Sequence, residues 1–150
     1  MKPILERLKA GEVLVSDGAM GTMLFQRGLK PGECPELFNL IHPETPEEIA
    51  LLYFQAGADI IGSNCGYGID NMIEIAKQIK KISDRPIMIQ SNAGLPENKG
   101  NELVYPESPS YFAEKTGELI EAGVSIIGGC CGTTPEHIKA IRKVVNSILP

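Results

Sequence analysis

"GADIIGSNCGYG" followed by "IDNMIEIAKQIKKI", residues 57–82, decides the fold. Ile60 and Ile61 form a short apolar run, and 63–68 is a polar, glycine-rich loop. The segment after it has helical period, with Met72, Ile73, Ile75, Ala76 and Ile79 on one face. The same unit recurs three times. "EVLVSDGAMGT" predicts a strand at 13–15 and a loop at 17–22, "RPIMIQSNAGLP" a strand at 87–90, and "GVSIIGGCCGTTP" a strand at 124–127. Helical segments lie between them. "TPEEIALLYFQAG" opens with Thr45 as N-cap, Pro46 at the first helical position and Glu48 three residues past the cap, and it stops at Gly57. "SPSYFAEKTGELIEAG" and "TPEHIKAIRKVVNSIL" repeat the pattern of cap, apolar stripe and stop. Continuous apolar strands alternating with helices give an α/β fold with a parallel sheet. In such folds ligands gather at the carboxyl ends of the strands, so the four loops are expected to form one site.

The 150 residues, formal charge of −5 and four cysteines suit a single domain spanning 1–150. The N-terminus is interrupted by charges, and no apolar run approaches the roughly 20 residues of a membrane helix. A cytoplasmic protein with no membrane partner is expected. Mild acidity, and a basic stretch "KQIKKISDR" without interleaved aromatics, speak against nucleic acid. Two connections, 23–44 and 94–108, exceed the about 2–6 residues usual between elements and are expected to be binding loops or disordered.

In a reducing compartment, four cysteines point to separate thiols or metal ligands before disulfides. Cys65 ends the second expected strand, and the adjacent pair Cys130 and Cys131 ends the fourth. Parallel strands bring these three thiols to one edge. Three protein ligands with one open position is the pattern of a catalytic zinc. Neighbouring cysteines can fan two sulfurs onto one ion, and the glycines around them permit the necessary backbone angles. Cys34 follows no strand and reads as an ordinary loop thiol. Iron–sulfur ligation lacks a fourth thiolate at suitable spacing, and redox work lacks a C-x-x-C. A zinc held by three thiolates is a weak Lewis acid toward water but suits a fourth sulfur, so the chemistry expected is alkyl transfer to a thiol.

The motifs "SDGAMGT", "SNCG", "SNAGLP" and "GGCCGTTPEHI", in that order, resemble those of the zinc-dependent homocysteine S-methyltransferases. That family includes the homocysteine-binding domain of cobalamin-dependent methionine synthase and the betaine–homocysteine methyltransferases. The resemblance implies a TIM-type (β/α)8 barrel and zinc bound by Cys65, Cys130 and Cys131. It implies a zinc-bound homocysteine thiolate as the nucleophile that becomes methionine. Asp17 would serve the ammonium group and be the catalytic acidic residue, with Gly18, Ala19, Met20 and Gly21 beside the substrate. Asn64 and Asn92 would line the pocket. His137, in the first turn after Thr134 and Pro135, reads as a helix-surface residue and not a ligand, and Tyr67 and Tyr105 carry no assignment.

The family's barrel is about twice this length. The chain resembles its two ends joined, half of a barrel with four strands in the spatial order second, third, fourth, first. Two open edges then favour a homodimer that rebuilds eight strands. The methyl donor is not legible; a corrinoid protein and a small sulfonium or ammonium compound both stay open. So do two other readings: a non-catalytic zinc-binding half-barrel or partner subunit without a complete substrate pocket, and a small α/β domain with buried free thiols.

Overall fold

The computed structural model describes residues 3–33, 35, 38, 41–100 and 102–148. In chain order these form helices α1 (Ile4–Lys9), α2 (Met20–Phe25) and α3 (Glu44–Gln55), strand β1 (Ile61–Cys65) and helix α4 (Ile69–Ile82). Strand β2 (Ile87–Ser91), a hairpin of β3 (Glu97–Lys99) and β4 (Glu102–Val104), helix α5 (Pro109–Glu121), strand β5 (Val124–Gly129) and helix α6 (Pro135–Ile148) follow. The chain divides into two compact units, Met1–Ile61 with Ile82–Pro86, and Gly62–Lys81 with Ile87–Pro150. Cys34 lies outside the described residues. Among the described residues no helix is long and apolar enough to cross a membrane.

The second unit carries a three-stranded sheet in the order β1-β2-β5. β2 and β5 are parallel, with Met88 opposite Ile126, Gln90 opposite Gly128 and Ser91 opposite Gly129. Each strand runs past its apolar stretch. Ser63 and Asn64, expected in a loop, belong to β1, and Ser91, Gly128 and Gly129 continue β2 and β5. Backbone pairing does not depend on side-chain polarity, so the ladder carries polar and glycine residues up to the sheet's carboxyl edge. Along β2, Ile87, Ile89 and Ser91 are buried while Met88 and Gln90 are half-buried, the alternation of a pleated strand with one face covered more deeply. Helices α5 and α6 pack on each other and on β5, and Phe112, Leu119 and Ile141 are buried among them. Each such side chain contributes about 1.5–3 kcal/mol on removal from water.

α4 matches its expected span: Met72, Ile73, Ala76 and Ile79 are buried, with Ile75 half-buried at the edge of the stripe. α5 starts at cap Ser108, whose Oγ accepts from the Tyr111 amide at 3.3 Å. The connection 94–108, expected to be irregular, folds back on itself as the β3–β4 hairpin.

In the first unit Leu24, Leu29 and Ile49 form a buried cluster with Met20, Met23, Phe38 and Tyr53 against it. Two expectations are corrected here. α3 begins at Glu44 behind Pro43, already helical at φ −63°, so Thr45 sits buried in the first turn and does not cap it. The fixed φ of proline opens the helix in place of a side-chain cap. Residues 13–15 form no strand. Val13 and Val15 are 87% and 57% exposed, and one parallel bridge joins Ser16 to Ile60, the residue before β1. The described sheet therefore has three strands, not four, and the first segment's bridge is to the entrance of β1 instead of the fourth strand. Consecutive β–α–β segments pair with each other by preference, and exposed valines gain too little burial to extend the ladder beyond that bridge.

Candidate functional site

The sulfurs of Cys65, Cys130 and Cys131 lie within 4.8 Å of one another at the carboxyl edge of the sheet. Cys65 Sγ is 3.1 Å from Cys130 Sγ, and Cys130 Sγ is 3.9 Å from Cys131 Sγ. All three are free thiols, the first two half-buried and Cys131 exposed. Asn64 Nδ2 donates to Cys65 Sγ at 3.2 Å and to Cys130 Sγ at 3.9 Å. The hydrogen bond between Cys65 and Cys130 divides their acidity. Together with burial and the neighbouring sulfurs, it pushes the Cys65 thiol up to about 11. The same bond, first among several donors, holds Cys130 below the ordinary thiol value. The bond thus favours proton loss at Cys130 over Cys65.

The backbone aims these sulfurs. Cys65 adopts φ 69°, a left-handed conformation that costs a non-glycine residue about 1–2 kcal/mol. The surrounding structure holds it there through Asn92, whose amide donates to Cys65 O at 3.2 Å. The Cys130 amide donates to Ser91 O at 2.7 Å, and the Ala93 amide to Cys131 O at 2.9 Å. Thr133 closes the turn, its Oγ1 donating to Cys130 O at 2.7 Å. Gly132 turns the chain at φ 78°, and a Cβ there would run into the Tyr105 ring. Gly132→Ala is expected to cost about 2–4 kcal/mol, summing a left-handed alanine and an overpacked contact. Urea unfolding checks it, and a loss below about 0.5 kcal/mol would contradict this turn.

Asn92 is 6% exposed, and its Oδ1 is buried without a hydrogen-bond partner. A buried acceptor of this kind is costly unless a ligand or ion completes it. Among the expected site residues, the second unit thus brings together Cys65, Cys130, Cys131 and Asn64, with Asn92 bonded to the Cys65 backbone.

Asp17 to Gly21 belong to the first unit. The Asp17 amide donates to Ile60 O at 3.0 Å, and its Oδ1 accepts from Ser16 Oγ at 2.9 Å. The segment is not wholly a loop: Met20 and Gly21 open α2. Tyr53 pins it, donating through its hydroxyl to Ala19 O at 2.8 Å, and a Cβ at position 18 would come within 2.9 Å of the Tyr53 ring, so a larger residue there would push the tyrosine aside. Sequence reasoning passed over Tyr53, which falls in the apolar stripe of α3 and reads as core.

His137 is corrected: it is 5% exposed and not on the helix surface. Its Nδ1 lies 3.1 Å from the Thr134 amide and 3.0 Å from Thr134 Oγ1, its Nε2 lies 3.0 Å from Glu107 O, and its ring stands edge-on to Phe112 at 5.0 Å. The inward face of the first helical turn buries it, and backbone partners satisfy both nitrogens. It is not in the cysteine cluster. Tyr67 bonds through its amide to Asn71 Oδ1, and Tyr105 lies against Gly132.

The homocysteine S-methyltransferase family profile matches residues 14–64 and 60–145. Methionine synthase of Mycobacterium leprae (strain TN) is 40% identical over 90 residues, 59% of this chain and 8% of that protein. Methionine synthase of Mycobacterium tuberculosis (strain ATCC 25618 / H37Rv) is 39% identical over 93 residues, 61% of this chain and 8% of its own length. The chain thus spans under a tenth of the length of these curated relatives. The apo form of the homocysteine methyltransferase MmuM from Escherichia coli shares the fold at a TM-score of 0.54 and 20% identity, over 95% of this chain and 58% of that one. With the family's pattern matched across most of its length, this chain belongs to the homocysteine S-methyltransferase family.

Proposed function

We propose that this chain holds zinc through Cys65, Cys130 and Cys131 and serves methyl transfer to a thiol, homocysteine foremost, giving methionine. The observation that carries this is the convergence of three cysteine sulfurs within 4.8 Å in a member of this family. The donor set fits. Zinc–sulfur bonds of about 2.3 Å in a tetrahedron set sulfurs about 3.8 Å apart. The vicinal pair at 3.9 Å meets that, and the 3.1 Å pair need open only slightly. Bound zinc would supply the positive charge that keeps a fourth thiol deprotonated near neutral pH.

The residues of the chain do the rest. Asn64 steadies the sulfurs of Cys65 and Cys130 by donating to both. The buried Oδ1 of Asn92 offers an acceptor to the incoming group. We assign the Asp17 carboxylate to the ammonium of homocysteine, with Gly18, Ala19, Met20 and Gly21 flanking it, and Tyr53 holding that segment in shape. The methyl group leaves its donor without the bonding pair, which stays on the leaving group, and the sulfur lone pair forms the new S–C bond. A methylcobamide on a corrinoid protein and a small sulfonium or ammonium compound both satisfy this chemistry.

We infer further that residues 1–150 act as one (β/α) domain, a segment of a (β/α)8 barrel, and that two copies associate through the open edges of their sheets. Supporting this, the family match falls in two stretches that meet at residues 60–64, and the MmuM chain is covered only to 58%. Light scattering is expected to give twice the chain mass; a monomer with full helical content would end the dimer proposal.

Incubating zinc-loaded protein with homocysteine and a panel of methyl donors tests the function. Methionine is expected with at least one donor. No product from any donor, with zinc retained, would favour the non-catalytic zinc-binding half-barrel or partner subunit, a reading that the short coverage of the relatives supports.

A further inference from the structure

Glu107 lies in the connection from the hairpin to α5, remote in sequence from every cysteine, yet its bonds reach the loops that carry them. Its carboxylate Oε2 accepts from the Ile69 amide at 3.0 Å, the first residue of α4 and four residues past Cys65. Its own amide donates to Ala93 O at 3.0 Å, and the Ala93 amide donates to Cys131 O at 2.9 Å. Its carbonyl faces His137 Nε2 at 3.0 Å. A carbonyl only accepts, so Nε2 carries the proton, and Nδ1 is left to accept from the Thr134 amide at 3.1 Å. His137 stands in the first turn of α6, directly after the Cys130–Cys131 turn, and is itself buried against Phe112.

Glu107 therefore ties the loop after β1 to the loop after β5, and His137 locks that tie to the helix that follows the vicinal cysteines. Hydrogen-bond partners behind metal ligands orient those ligands and typically change affinity by about 10–100-fold when removed. We propose that Glu107 and His137 are positioning residues which set the separation of Cys65 from Cys130 and Cys131, and so the tightness and geometry with which the three thiolates hold a divalent metal. This rests on the three-thiolate reading above. Neither side chain touches the metal or substrate in this role; both act through the backbone that aims the sulfurs.

The test is metal affinity by competition with a chromophoric chelator, together with the absorption of the Co2+-substituted protein, whose sulfur-to-metal and d–d bands report coordination geometry. Glu107→Ala and His137→Leu are expected to weaken Zn2+ binding about tenfold or more and to shift the Co2+ bands. Glu107→Gln keeps an acceptor for the Ile69 amide and is expected to restore both readouts. Glu107→Asp withdraws the carboxylate by one methylene, is gentle enough to fold if the alanine variant is not, and is expected to fall between them. Lower thermal stability with unmoved affinity and unmoved Co2+ bands would mean an ordinary structural role and overturn the clamp. Failure of the unmodified protein to bind either metal would overturn the three-thiolate reading and the clamp with it, so the two failures are distinguishable.

Discussion

Cys131→Ser is expected to abolish stoichiometric zinc binding while leaving the unfolding temperature of the metal-free protein nearly unchanged. Cys131 is the exposed member of the cluster, so exchanging sulfur for oxygen removes little packing. Its loss leaves two thiolates where three converged, and the hydroxyl of serine does not ionise near neutral pH to replace the third. Removing a ligand outright should exceed the about 10–100-fold effect of removing an outer partner. Zinc content after gel filtration and chelator competition measure this. Because Cys131 O receives the Ala93 amide through the backbone, the substitution keeps that bond. Retention of one zinc per chain by the variant would remove Cys131 from the site, and unfolding of the variant would make the metal's role structural.

Phe112→Ala is expected to destabilise the protein by about 3–5 kcal/mol, the range for deleting a buried aromatic ring. Phe112 is fully buried on α5 and meets the His137 ring edge-on, so the deletion opens a cavity and removes an aromatic contact together. Against a total stability of about 5–15 kcal/mol this is a large share, and the melting temperature should fall by about 10 °C. Urea titration with an unchanged slope would assign the loss to the folded state. A cost below about 1 kcal/mol would mean that α5 and α6 are not packed on the sheet as described. Phe112→Leu, which refills most of the space, should lose less.

The elements of the second unit were legible because their signals are local. The stripe of α4, the Ser108 cap and the apolar starts of β2 and β5 each arise from residues a few positions apart. Cys65, Cys130 and Cys131 were legible for a related reason: they follow apolar runs, and parallel neighbours carry their ends to one edge. What escaped is long-range. The strand expected at 13–15 failed because pairing depends on burial that the neighbouring sequence does not encode, and Val13 stays exposed. Asn64 read as a loop residue, since polarity hides a strand whose ladder runs through backbone atoms. His137 read as surface because its partner, Glu107, is 30 residues away in a stretch rich in proline, glycine and glutamate. Nothing local marks such a residue as a clamp.

The most direct measurement is X-ray absorption at the zinc edge of the loaded protein, before and after homocysteine is added. Three sulfurs at about 2.3 Å with one lighter atom, changing to four sulfurs when homocysteine is present, is the predicted result. Fewer than three sulfurs, or a spectrum that homocysteine leaves unaltered, would contradict a three-cysteine site that receives a thiol.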